Sequence, residues 1–209
     1  MKAFLTGGSS GIGQHFKQHL ESLGHDVIAP TRQELDLSDP TNINVDLKEY
    51  DLLILCAGVD TNGRQEFYKM KPSDFVNTIN VNLTSNIILI HQYVQQRLFK
   101  PCSKVVVIGS QVVDGYYPGY GVYGTTKHAL DAFMNTIKYE LKDKNIGFTI
   151  IHPALTKTNF NRNRGNVPED QVNDLYDQIP HMQTSDLIPI FDQIIKDKDN
   201  LITKVSLTK

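Results

Sequence analysis

Tyr123 and Lys127 stand one helical turn apart in Tyr123-Gly124-Thr125-Thr126-Lys127, a spacing that puts both side chains on one face of a helix. A phenol that titrates near ~10 is a poor base at neutral pH. An ammonium about 5 Å away, at an effective dielectric of about 20, favours the phenolate by about 3 kcal/mol, roughly two pK units. A tyrosine tuned in this way gives a proton to a carbonyl oxygen or takes one from an alcohol. Of the nine tyrosines only Tyr123 has a lysine four residues on. A second stretch carries different chemistry. Thr6-Gly7-Gly8-Ser9-Ser10-Gly11-Ile12-Gly13 is rich enough in glycine for the backbone to turn sharply and approach a pyrophosphate, whose charge is met by free N–H groups and the positive end of a helix.

Both stretches need elements to hold them, and the hydrophobic pattern supplies these. Short apolar runs alternate with helix-period segments, as in repeated strand–helix units and a doubly wound, mostly parallel α/β sheet of about seven strands. The expected strands are Lys2–Thr6, Asp26–Ala29, Leu52–Ala57, Lys104–Gly109 and Gly147–Ile151, with short ones near Glu34–Leu37 and Leu201–Leu207. Ile12, Phe16, Leu20 and Leu23 line one face of a helix that Gly24 ends, so the glycine turn lies between a strand and a helix opening. Two longer helices are expected around Leu83–Leu98 and Leu130–Leu141. The segment from Ala29 to Asp51 is too short for two full helices, so one crossover helix is expected to be missing. Residues 156–183 lose the periodicity and read as a substrate loop or lid, followed by a helix from Thr184 or Ser185.

Composition narrows the classes. With 209 residues the chain suits a single domain, and 21 basic against 23 acidic residues, a net charge of −2, give no basic surface for nucleic acid. The apolar runs are far shorter than a membrane-spanning helix, and the expected location is the cytoplasm. Cys56 and Cys102 have neither disulfide nor metal spacing and read as core thiols, with no metal expected. His15 and His19, at i and i+4, lack a third ligand and read as a solvated helix face. Arg162 and Arg164 read as solubility charges of the lid. Tyr116, Tyr117 and Tyr120 read as pocket wall or packing. The Asn82-Leu83-Thr84 sequon carries no meaning in a cytoplasmic chain.

The pattern T-G-x-x-x-G-x-G in the first turn, the Y-x-x-x-K pair and a serine 13 residues before the tyrosine together resemble the short-chain dehydrogenase/reductase family. The resemblance implies a Rossmann-type fold and an oxidoreductase moving hydride between a nicotinamide cofactor and a carbonyl or secondary alcohol. Tyr123 would be the acid/base, Ser110 would stabilise charge on the substrate oxygen, and Lys127 would also bind the nicotinamide ribose. Asn82 matches the family's helix asparagine, which holds a proton-relay water; its plainer role is a polar group at a helix start. The implied cofactor contacts are Thr6, Gly7, Ser9, Ser10, Gly11, Ile12 and Gly13 in the turn, then Asp36 and Leu37 at the adenine. Ala57 and Gly58 stand where the family has N-N-A-G, both asparagines being lost. Pro153, Thr156 and Thr158 would meet the nicotinamide side, with Ala154 in place of the usual glycine. Thr31 replaces the acid of NAD-binding relatives and Arg32 follows it, which favours NADP over NAD through pairing with a 2′-phosphate, although Glu34 lies two residues on. A homodimer or homotetramer through the two long helices is implied as well. A protein of this fold that senses nucleotide without turnover is the alternative function, and an oligomeric scaffold is a third.

Overall fold

Strand residues alternate between two apolar faces, and the helices cover both. The structure is a computed structural model that describes residues 1–61, 63, 65–97, 103–164, 168–197 and 204–207. Its strands are β1 Lys2–Thr6, β2 Asp26–Ile28, β3 Leu52–Leu55, β4 Ser103–Ile108, β5 Ile146–His152 and β6 Lys204–Ser206. All neighbours pair in parallel in the order β2-β1-β3-β4-β5-β6. The helices are α1 Gly11–Ser22, α2 Pro72–Ile79, α3 Ser85–Arg97, α4 Gly121–Glu140, α5 Glu169–Gln178 and α6 Ile188–Lys196. Phe4, Leu53, Leu55, Val105 and Val107 pack towards Leu89, Ile90, Tyr93, Leu130 and Met134 of α3 and α4. Ala3, Leu5, Leu52, Ile54 and Val106 turn the other way, onto Phe16 and Leu20 of α1 and Phe191 and Ile194 of α6. β3 and β4 are buried along almost their whole length, as a parallel strand covered on both faces must be.

The expected missing crossover is absent: between β2 and β3 the chain makes only a 3-10 turn at Pro40–Asn42. Six strands form the sheet among the described residues, not seven. Glu34–Leu37 is a turn, because Glu34 accepts bonds from the backbone and hydroxyl of Thr31 and Asp36 accepts both from Ser38. Such local side-chain bonds compete with a strand ladder. The Leu83–Leu98 helix is preceded by α2 and a π-helical turn at Asn80–Thr84. The proposed lid contains α5, a polar helix whose Val172 and Tyr176, four residues apart, are buried. Leu98, Cys102 and Leu201 lie outside the described residues.

Candidate active site

The carboxyl ends of β1, β3, β4 and β5 lie side by side, and the chain leaves β1 on one side for β2 and on the other for β3. This is the reversal of strand order at which doubly wound sheets bind their ligands. Thr6 ends β1, and its Oγ1 accepts the backbone N–H groups of Cys56 and Ala57 at 3.2 and 3.3 Å, which ties the first turn to the end of β3. Gly7 has φ 76°, and a Cβ there would lie 2.7 Å from the nitrogen of Ala57; one on Gly13 would lie 2.3 Å from the oxygen of Gly7. Only glycine permits either approach. Ser9 and Ser10 are exposed and Gly11 and Ile12 half-buried. Ser10 caps α1 without using its side chain, and no acid occupies the first turn. Thr158 stands against this turn, 3.3 Å from where a Cβ on Gly11 would be. The concave backbone and unopposed helix start suit a pyrophosphate.

Beyond β2, Thr31 is held by Glu34 at 2.7 and 2.9 Å. Arg32 is 77% exposed, with its Nε 4.0 Å from Asp36. The bonds from Thr31 hold the Glu34 carboxyl below its usual range, and those from Ser38 do the same for Asp36. Leu37 is buried. Pro153 accepts from the backbone of Gln111, and Thr156 turns its hydroxyl onto the carbonyl of Ala154 at 2.9 Å.

Ser110 leaves β4 as the cap of a 3-10 turn, its Oγ accepting from the nitrogen of Val112 at 3.2 Å. Tyr123 and Lys127 project from the inner face of α4 and are 8% and 5% exposed. Lys127 Nζ donates to the carbonyl of Ile108 at 2.9 Å and lies 5.7 Å from the centre of the Tyr123 ring. The lowering expected from Lys127 and an oxidised nicotinamide together is opposed here by burial. Burial pushes the phenol up to about 12, against a lowering hydrogen bond from Ser110 and the lowering charge of Arg164. Burial also brings Lys127 down to about 8. Desolvation, which disfavours the charged form of each group, is the largest cause of both shifts.

Asn82 sits in the π-turn with its side chain clamped to both backbone groups of Val59, each at 2.8 Å, and its Nδ2 is 3.3 Å from Thr126 Oγ1. A Cβ on Gly58 would lie 3.5 Å from Asn82 Oδ1 and 3.8 Å from Lys127 Nζ, so both polar groups border this glycine. Cys56 lies behind the turn, its thiol pushed up to about 12 by burial, which fits an inert thiol.

Sequence reasoning misplaced one arginine. Arg164 is no solubility charge but 7% exposed, with Nε and Nη2 at 2.8 and 2.7 Å from Oδ2 of Asp60, itself 5% exposed. Its Nη1 reaches Tyr120 Oη at 2.9 Å and Asn161 Oδ1 at 3.0 Å. The guanidinium lies 5.7 Å from the Tyr123 ring centre, and Phe160 of the same segment packs on that ring. No local pattern announces this pair, since its members are 104 residues apart. Arg162 is exposed, as expected. Tyr176 of α5 knits the segment, its hydroxyl accepting from Asn161 Nδ2 at 2.8 Å. His19 is likewise not simply solvated: its Nε2 is 2.7 Å from Asp192, joining α1 to α6. His15 is exposed, with Nδ1 3.2 Å from the carbonyl of Gly11.

A doubly wound sheet with a glycine cradle at its switch point defines a dinucleotide-binding fold. The chain matches the short chain dehydrogenase family over residues 40–168 and belongs to it, as an NAD(P)-dependent oxidoreductase acting on CH–OH and C=O groups. It is 24% identical over 203 residues to the 3-oxoacyl-[acyl-carrier-protein] reductase FabG of Salmonella typhimurium, covering 85% of this chain and 81% of that one. A closed form of serine dehydrogenase complexed with NADP+ superposes with a TM-score of 0.88 at 18% identity, over 99% of this chain and 94% of the other. A 4-hydroxyisoleucine dehydrogenase complexed with NADH gives 0.83 at 21%, over 99% and 96%. Among the described residues no helix is long and apolar enough to cross a membrane.

Proposed function

We propose that Tyr123 is the acid/base of this oxidoreductase, with Ser110 and Lys127 as its partners. The observation that carries the reading is the burial of Tyr123 and Lys127 on α4, with half-buried Ser110 at the carboxyl end of β4 in hydrogen-bond reach of the phenol. A nicotinamide cofactor held by the glycine turn and Lys127 would supply or accept the hydride. In reduction, a phenol held near 12 keeps its proton until negative charge develops on the carbonyl oxygen, then donates it. Ser110 Oγ binds the same oxygen and stabilises that charge. Lys127 anchors the ribose hydroxyls and offers positive charge to the phenolate left behind. Asn82 and Lys127, which both border Gly58, hold the relay water. Residues 156–183 are the substrate lid, and Phe160, Asn161 and Arg164 are its inner face.

NADP(H) is the preferred cofactor. Arg32 is exposed, held only by a 4.0 Å pairing with Asp36, and can turn to a 2′-phosphate; no acid stands at Thr31, while the opposing carboxylate of Glu34 is occupied by Thr31. Thr6, Gly7, Ser9, Ser10, Gly11, Ile12, Gly13, Asp36, Leu37, Ala57, Gly58, Pro153, Thr156 and Thr158 complete its contacts. The protein acts in the cytoplasm on a small molecule. It assembles as a homodimer or homotetramer through α3 and α4, where Ile87, Ile88, Phe133 and Ile137 are only half-covered.

The test follows NADPH oxidation against a panel of carbonyls, including β-keto thioesters and α-amino aldehydes, for wild type, Ser110→Ala and Lys127→Ala. Ser110→Ala is expected to lose rate at unchanged cofactor affinity, and Lys127→Ala to lose both. Wild-type turnover by either variant overturns the assignment.

A further inference from the structure

Behind Ser110 lies a buried histidine for which the hydride transfer has no use. His152 ends β5 and is fully buried. Its Nε2 is 2.8 Å from Oδ1 of Asp131, which lies on α4 one turn past Lys127 and two past Tyr123. Lys204 of β6 places its Nζ 3.0 and 3.1 Å from the two oxygens of that carboxylate. The other ring nitrogen, Nδ1, accepts the backbone N–H of Ser110 at 3.2 Å and lies 3.1 Å from the carbonyl of the same residue. The ring packs so closely on the chain entering Ser110 that a Cβ on Gly109 would lie 2.3 Å from Nδ1.

These contacts fix where the proton sits. An ionised carboxylate can only accept, so Nε2 must carry the hydrogen that it shares with Asp131. The lone pair of the neutral ring then falls on Nδ1 and takes the N–H of Ser110. Burial raises the Asp131 carboxyl, but the bonds from Lys204 and His152 more than offset this and hold it below its usual range. Burial lowers the His152 ring below the ordinary histidine value, so it stays neutral at neutral pH. A proton added to Nδ1 would confront the Ser110 N–H and turn the ring towards the Ser110 carbonyl. With Val112 N–H on its Oγ and His152 on its own backbone, the serine is gripped from two sides.

We infer that His152, held in one tautomer by Asp131, is the positioning residue that aims Ser110 at the substrate oxygen. The inference rests on the reading of Ser110 given above. It makes the inner face of α4 a row of three working residues, Tyr123, Lys127 and Asp131, one turn apart.

The test combines kinetics with nitrogen NMR of the full-length protein. Wild-type His152 is expected as the neutral Nε2–H tautomer at pH 7.5. In Asp131→Asn, Lys204 keeps the amide oxygen and the NH2 group faces Nε2, which forces the hydrogen onto Nδ1 against the Ser110 N–H. The tautomer signal should switch and kcat fall about 100-fold, with KM and cofactor affinity within about twofold. His152→Leu should lose a similar factor. His152→Asn puts an amide oxygen where Nδ1 was and should restore kcat to within about fivefold of wild type. It should also erase the acid limb that protonation of His152 would give the kcat profile, because the charged groups facing the ring, Asp131 from α4 and Lys204 from β6, are unchanged. An Nδ1–H tautomer in wild type overturns the inference. So do wild-type kcat in Asp131→Asn, or equal losses in His152→Asn and His152→Leu. If His152→Leu does not fold, the tautomer and Asp131→Asn decide. A Ser110→Ala variant that keeps full turnover removes the reading of the serine itself, and leaves the tautomer measurement standing on its own.

Discussion

Replacing Asp60 with asparagine exposes Tyr123 to an uncancelled positive charge. The Arg164 guanidinium lies 5.7 Å from the tyrosine ring centre, and at an effective dielectric of about 20 a unit charge at that distance favours the phenolate by about 3 kcal/mol, roughly two pK units. In the wild type the Asp60 carboxylate, 2.7 Å from Nη2, opposes this charge, and burial keeps the phenol high. Asparagine retains an acceptor for the guanidinium while removing the negative charge. The rate of alcohol oxidation, which rises as the Tyr123 site loses its proton, should therefore reach its midpoint about one to two pH units lower in Asp60→Asn. Stability should fall too, because breaking a buried pair typically costs about 3–5 kcal/mol, here towards the lower end, with Tm lower by about 6–12 °C. The assay is the pH dependence of kcat/KM with a saturating oxidised cofactor, beside a thermal melt. A lowered Tm with an unmoved midpoint would show that Arg164 secures the lid without being felt by the tyrosine.

Burial of Lys127 has its own signature. Its folded value of about 8 lies below the unfolded one, so the cofactor-free protein should gain stability as pH rises from about 8 to 10, up to about 3 kcal/mol, before the raised Tyr123 reverses the trend. Lys127→Met should remove that rise in chemical denaturation and be the more stable protein at pH 7 while losing turnover. Arg32→Ala should weaken NADPH at least about tenfold and leave NADH nearly unchanged by calorimetric titration; equal losses would count against a 2′-phosphate contact. Light scattering at micromolar concentration should give a dimer or tetramer, and a monomer alone would contradict the assembly through α3 and α4.

The parallel sheet was readable because burial on both faces leaves continuous apolar runs such as Leu52–Leu55 and Val105–Ile108, and α1 because one apolar face repeats through Phe16 and Leu20. The short strand expected at Glu34 was not there, since Glu34 and Asp36 spend their carboxylates on turns, a choice that apolar periodicity does not record. α2 had a legible start, Pro72 followed by Asp74 in the first turn, but only Thr78 of its eight residues is buried. α5 has only Val172, Leu175 and Tyr176 as apolar residues among ten, too few apolar positions to register. In the candidate site the glycine turn and the Tyr123–Lys127 pair were visible because each is local in sequence. Asp60 with Arg164, and His152 with Asp131, are joined only by the fold, and their burial as charged or titratable groups is the signal that a sequence lacks.

The assignment of Tyr123 as the proton carrier is tested most directly by Tyr123→Phe, assayed for kcat/KM on any accepted substrate and for cofactor affinity by titration. The lost hydroxyl acts on the substrate oxygen in the transition state and does not hold the nucleotide, so kcat/KM should fall by about 10²–10⁴ while the cofactor Kd stays within about twofold. A Tyr123→Phe protein that turns over at the wild-type rate would mean that another group carries the proton.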